Sequence, residues 1–155
     1  MAISCGAGNE LDKAAVNGRR VSPGRAENVG MQDFRRLLVW RRAHELALNV
    51  RRGIRSFPRS ERGSLKSQMV NAGESIAFNI VEGCGSRSPK EFARFLDISI
   101  KSTLELESQL QLATDCGVLQ RREWSLLSAE TVEIRRMLCG LRRKVLNPQV
   151  PALPD

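Results

Sequence analysis

With 155 residues, 41% apolar and 27% charged, the chain can bury one globular core, and its composition is not that of a disordered or membrane-embedded protein. No apolar run approaches the ~20 residues of a bilayer-spanning helix, and the start MAISCGAGNELDK has neither the basic opening nor the apolar segment of a secretory signal; the cytoplasm is the expected location. A net charge of +8 points to polyanionic partners. One histidine and four scattered cysteines (Cys5, Cys84, Cys116, Cys139) give no zinc spacing and no disulfide framework, so no metal or cofactor is expected.

Residues 1–30, with five glycines and no sustained apolar period, read as a poorly ordered extension. A first helix is predicted over about 34–56, where Trp40, Ala43, Ala47, Val50 and Ile54 recur at three- and four-residue steps and Phe57-Pro58 ends the run. The second, about 60–82, places Leu65, Met69, Ala72, Ile76 and Ile80 on one side. Gly83 and Gly85 then offer the left-handed or unrestricted backbone of a helix exit. Ser88, Pro89 and Glu91 mark the third start as N-cap, first helical position and capping-box carboxylate. This helix, about 89–116, has Phe92, Phe95, Leu96, Ser99, Thr103, Leu106, Leu110 and Ala113 on its core face, with Gly117 closing it.

The fourth helix, about 120–146, carries Trp124, Leu127, Thr131, Ile134, Leu138, Leu141 and Val145 at alternating three- and four-residue steps, the pattern of bundle packing. PQVPALPD, with its three prolines, forms a tail over 148–155. Nothing alternates with period two. The predicted fold class is therefore all-α, an antiparallel up-down-up-down four-helix bundle over 31–147 with a disordered N-terminal extension.

Several helices carry apolar residues beyond one core stripe. Leu37 and Leu48 project with Arg41, His44 and Arg55 away from the Trp40 face, and Ile98 and Leu112 lie off the Phe92 face; such surplus suggests a subunit interface. Helix two also carries a polar line, Gln68, Asn71, Ser75, Asn79 and Glu82, and helix three a matching one, Ser102, Glu105 and Gln109. These lines fix helix register by hydrogen bonding, face a neighbouring subunit, or hold an anion. Catalysis by Glu82, His44 or a cysteine lacks a placed nucleophile and orienting carboxylate, and no catalytic residue is assigned.

The arginines are the strongest functional signal. Arg41, Arg42, Arg51, Arg52, Arg55 and Arg59 crowd helix one and its exit, and Arg142 and Arg143 the end of helix four. Arginine grips phosphate oxygens bidentately, so this density implies salt-dependent, largely sequence-independent binding to RNA or DNA. The competing readings are a solvated face and arginines paired with acids across subunits. The absence of tyrosine and the scarcity of other aromatics argue against base stacking.

The strings LLVWRRAHELALNV and FPRSERGSLKSQMVNAGESIAFNIVEGCGSRSPKEFARFLDISIKSTLELESQLQLA resemble the bacterial four-helix bundle proteins encoded by intervening sequences in 23S ribosomal RNA genes. The resemblance runs from about Phe34 to Leu141 and rests on the L-x-V-W opening, Phe57-Pro58 with Glu61, Leu65 and Gln68, then Ser75-Ile76, Asn79-Ile80, Glu82-Gly83, Glu91-Phe92, Phe95-Leu96 and Glu105-x-Glu107-x-Gln109-Leu110. It implies a non-enzymatic homopentamer with a basic surface and no cofactor. It also implies distant similarity to the accessory variability determinant protein of diversity-generating retroelements, which makes a reverse transcriptase a candidate partner beside nucleic acid. Ala77 and Cys84 depart from the proline and the aromatic common at those positions of the family. An alternative function is a structural or protein-docking module that binds no nucleic acid.

Overall fold

The computed structural model describes residues 32–58 and 65–148. The expectations for the N-terminal extension, for Arg59, for a helix-two start near residue 60 and for most of the tail lie outside those residues.

The chain opens with a turn rather than a helix. A carboxylate oxygen of Asp33 accepts the Arg35 N–H at 3.1 Å and caps a short 3-10 turn, Phe34–Arg36. Leu37 is then extended, with ψ at 116°, and α1 runs Leu38–Gly53 before a second 3-10 turn, Ile54–Ser56. The single helix predicted over 34–56 is thus three pieces. The reason is aromatic: the Phe34 ring meets the Trp40 ring edge-on at 4.7 Å between centroids. A continuous helix would hold residues six apart about 9 Å from each other along its axis and on different faces. At the far end Phe57 is extended before Pro58, as the proline requires.

The remaining helices are α2, Leu65–Cys84, α3, Pro89–Asp115, and α4, Arg121–Leu146. At the α3 start, Ser88 Oγ accepts the Glu91 N–H at 3.2 Å. The Glu91 carboxylate reaches back to the N–H of Arg87, one residue before the cap, at 2.9 Å. Gly117 ends α3 with φ at +73°, and the Val118 and Gly117 N–H groups bond to the carbonyls of Ala113 and Thr114, the paired bonds of a Schellman motif.

The α2 exit differs from expectation. Gly83 lies inside the helix, and among the described glycines only Gly117 has a positive φ. Gly83 is needed for space instead: a Cβ there would stand 2.4 Å from Phe92 Cδ2. The glycine lets the end of α2 pack directly on the aromatic ring that opens α3.

Neighbouring helices run antiparallel, with contacts passing around the ring α1–α2–α3–α4–α1 and most extensive between α2 and α3. The α2–α3 pairing is fixed by Ser75 Oγ against Ser102 Oγ at 2.9 Å, by Ser99 Oγ donating to the Ile76 carbonyl at 2.6 Å, and by Gly83 against Phe92. The core holds the fully enclosed Leu46, Met69, Ile76, Ile80, Leu96, Leu106, Leu110, Ile134 and Leu138. On α1 the buried stripe is Val39, Ala43, Leu46, Ala47, Val50, continued by Ile54. Trp40, expected on this stripe, sits half-buried at its edge.

Cys84 belongs to this core at 3% exposure. Burial, with a smaller contribution from the Asp33 carboxylate, pushes its thiol up to about 11. Since the thiolate is the reactive form, a mildly alkaline solution of the folded protein should label the exposed Cys116 and Cys139 with a maleimide and leave Cys84 unmodified until denaturant is added. Peptide mapping before and after unfolding measures this.

Candidate nucleic-acid interface

The ion pairs decide which arginines are occupied. Arg42 on α1 pairs with Glu133 on α4 at 2.7 Å, and that hydrogen bond and charge raise the pKa of its guanidinium above the ordinary value. Arg51 pairs with Glu74 on α2, its Nε donating at 2.6 Å. Arg142 on α4 pairs with Asp97 on α3 at 2.5 Å, and Arg135 with Glu107. All are surface or part-buried pairs of the kind that contributes at most about 1 kcal/mol each. They join neighbouring helices of the same chain, so three of the predicted phosphate contacts, Arg42, Arg51 and Arg142, already hold a carboxylate.

Among the described residues, Arg41, Arg52, Arg55 and Arg143 form no ion pair. Arg52 donates to the Asn49 side chain. The set also divides by position. The Arg142–Asp97 pair places Arg142 and Arg143 at the end of the bundle where α3 starts, whereas Arg51, Arg52 and Arg55 close the opposite end, where Gly53 lies against Leu127 near the start of α4. What remains as a continuous feature is one exposed strip of α1. Arg41, Leu48 and Arg52 follow at seven- and four-residue steps on a single face, and Arg55 prolongs it in the 3-10 turn; all four are exposed.

The two flanks of this strip have opposite chemistry. Toward α4, Asn49, Arg52, Glu123, Leu126 and Glu130 line an open groove of about 310 Å³, and the Asn49 amide is held by Glu130 at 3.0 Å. Two carboxylates there disfavour a phosphate chain. Toward α2 lies a smaller groove of about 90 Å³, floored by Ala47 and Ala77, walled by His44, Leu48 and Phe78, and closed by Arg51 and Glu74.

His44 was expected to project away from Trp40. Its ring instead lies 5.3 Å from the Trp40 ring at an interplanar angle of 20°, because residues four apart share a helix face. With Phe34 edge-on to Trp40 and the Arg35 guanidinium 4.5 Å over Phe34, α1 begins in an aromatic cluster with one exposed end. Phe78, at 62% exposure, adds a fourth ring nearby. The i, i+4 spacing of Trp40 and His44 was the available sequence signal; Phe78 carried none, standing alone on a helix whose pattern pointed elsewhere.

The polar lines are placed as follows. Ser75 and Ser102 meet between α2 and α3, and Asn79 turns back on its own helix, donating to the Ser75 carbonyl at 2.7 Å and to Ser75 Oγ at 3.0 Å. Gln109 is buried at 7% exposure and donates to Glu105 at 3.1 Å. Gln68 and Glu82 are exposed at the two ends of α2. Of the surplus apolar residues, Leu37 is half-buried against the chain's own core and its neighbour Leu38 is the exposed one, while Leu48, Ile98 and Leu112 are exposed. Among the described residues, no group of three or more His, Cys, Asp or Glu could hold a metal ion, and no helix is long and apolar enough to cross a membrane.

Residues 35–140 match the family described as 23S rRNA-intervening sequence protein, the family that the sequence motifs resemble. The crystal structure of a protein of unknown function from the S23 ribosomal protein family of Bacteroides thetaiotaomicron has the same fold, with a TM-score of 0.63 and 21% identity, covering 68% of this chain and 99% of that one. No curated protein matches the chain.

Proposed function

The chain belongs to the 23S rRNA-intervening sequence protein family, and on that premise we propose that it is a non-enzymatic cytoplasmic protein that binds the phosphate backbone of nucleic acid, RNA foremost, along the exposed strip of α1. One observation carries this reading: Arg41, Arg52 and Arg55 line one face without carboxylate partners among the described residues, while Arg42 and Arg51 beside them are held by acids. A guanidinium without a carboxylate partner keeps an uncompensated charge and donors to offer a phosphate, and one held by an acid does not. Arg143 at the other end of the bundle provides a secondary contact, and a protein that handles nucleic acid, such as a reverse transcriptase, is the partner that this chemistry fits. Fluorescence anisotropy with a labelled single-stranded RNA in low-salt buffer tests the proposal. Saturable binding is expected, and no binding to either RNA or DNA under those conditions refutes it.

Assembly is the second reading, and it is compatible with the first. The outer face of α3 exposes Ile98, Leu104 and Leu112, and α4 exposes Leu126, which together make more apolar surface than scattered single residues on a monomer require. The family resemblance implies a homopentamer, so light scattering should return five times the 17.3 kDa chain mass; a monomer at micromolar concentration refutes the assembly.

A further inference from the structure

The small groove beside the arginine strip has the composition of a base-binding slot. Its walls are an exposed phenylalanine, Phe78, and a histidine whose ring already stacks on Trp40. Its floor is two alanines, which lets a flat ring lie close to the backbone of both helices. At about 90 Å³ it falls well below the 300–1,000 Å³ of sites for drug-sized ligands, and it suits a single ring system rather than a peptide segment. Arg51 and Glu74 close it as a mutual ion pair, so recognition in the slot comes from its rings rather than from base-edge hydrogen bonds. Their mutual ion pair neutralises the carboxylate, which would otherwise repel an approaching strand. The arginine strip runs directly alongside, so a backbone tracked by Arg41 and Arg52 would hold its bases over this slot.

We propose that the groove between His44 and Phe78 receives an unpaired base of the bound strand, so that α1 selects single-stranded over double-stranded nucleic acid. The inference rests on α1 being the nucleic-acid-binding face. A base that stays paired in a duplex cannot enter a slot between two side chains, and stacking of this kind tolerates any base because each has a π face. The exposed ring of Phe78 opposite His44, not a sequence motif, distinguishes this from backbone binding alone.

The test compares Phe78→Ala, Phe78→Trp and His44→Ala with the unaltered full chain. The probes are fluorescein-labelled oligoadenylate, the corresponding DNA strand, and an RNA duplex of equal length. Because Phe78 is largely exposed, its truncation leaves the fold intact, which circular dichroism checks. Phe78→Ala is expected to lower affinity for the single strands about tenfold, the effect of losing one base–aromatic stack, with the duplex affinity unchanged and Phe78→Trp restoring the loss. Comparing the RNA and DNA strands shows which of the two the slot takes. Equal losses on single strand and duplex, or no loss on either, overturn the slot while leaving backbone binding in place. A lower mass by light scattering for Phe78→Ala assigns the groove to a contact between copies and overturns the slot as well. If the unaltered chain binds no probe, both readings fall.

Discussion

Replacing Arg41, Arg52 and Arg55 together by alanine should weaken binding of single-stranded RNA at near-physiological salt by roughly 100-fold. A hydrogen bond to a charged group contributes about 1.5–3 kcal/mol net, and three such contacts at an exposed face, reduced by screening over a Debye length of about 8 Å, come to about two orders of magnitude. All three side chains are exposed and none forms an ion pair among the described residues, so the fold should be unaffected. The informative control removes paired arginines that lie outside the groove, Arg42, Arg135 and Arg142, instead. That variant carries the same change in net charge but should bind RNA more tightly than the strip variant. Each of its substitutions also costs an ion pair worth at most about 1 kcal/mol of stability. Anisotropy at one fixed salt concentration separates the two. Equal losses would mean that affinity follows total charge and that the strip has no special standing.

Gly83→Ala should produce the largest loss of stability available from a single added methyl group. The new Cβ would stand 2.4 Å from Phe92 Cδ2, 2.7 Å from Phe92 Cε2 and 3.2 Å from Phe95 Cβ. Phe92 is buried at 3% exposure in the first turn of α3, where Ser88 and Glu91 pin the backbone, so the ring cannot swing clear without opening the α2–α3 junction. Inserting a methyl group into a packed site costs about 1–3 kcal/mol, and a rigid ring as the obstacle puts this case near the top of that range. Ordinarily alanine would stabilise a helix over glycine by about 1 kcal/mol; here packing reverses the sign. Thermal denaturation should show a fall in Tm of roughly 10 °C. The same substitution at Gly140, where the added Cβ would meet nothing within 4 Å beyond its own helix backbone and chain neighbours, should raise stability slightly.

Most of the bundle was legible because its signals are local or periodic. The Ser88-Pro89-Glu91 start, the Gly117 exit and the spacing of Leu127, Thr131, Ile134 and Leu138 each fix one element without reference to any other. What periodicity misread depended on contacts between elements. Gly83 looks like a helix exit in sequence, and only the Phe92 ring packed against it reveals a spacing role. Trp40 has core periodicity, but its bulk is drawn to the stripe's edge by Phe34 and His44. The arginine density was visible, yet the division into paired and unpaired members was not, because Glu133, Glu74 and Asp97 lie 23 to 91 residues away in sequence from their respective partners Arg42, Arg51 and Arg142. The same limit hid Phe78, whose meaning comes from facing His44 across a groove between two helices.

The proposed phosphate contacts are tested most directly by the salt dependence of RNA affinity, measured by anisotropy for the unaltered chain and for the Arg41, Arg52 and Arg55 triple-alanine variant. For a single strand, log K falls with log salt at a slope of about 0.7 per phosphate neutralised. The unaltered chain should therefore show the steeper line, with the variant's slope smaller in magnitude by about 2. Parallel lines for the two proteins would place the phosphate contacts elsewhere on the surface and contradict the assignment to α1.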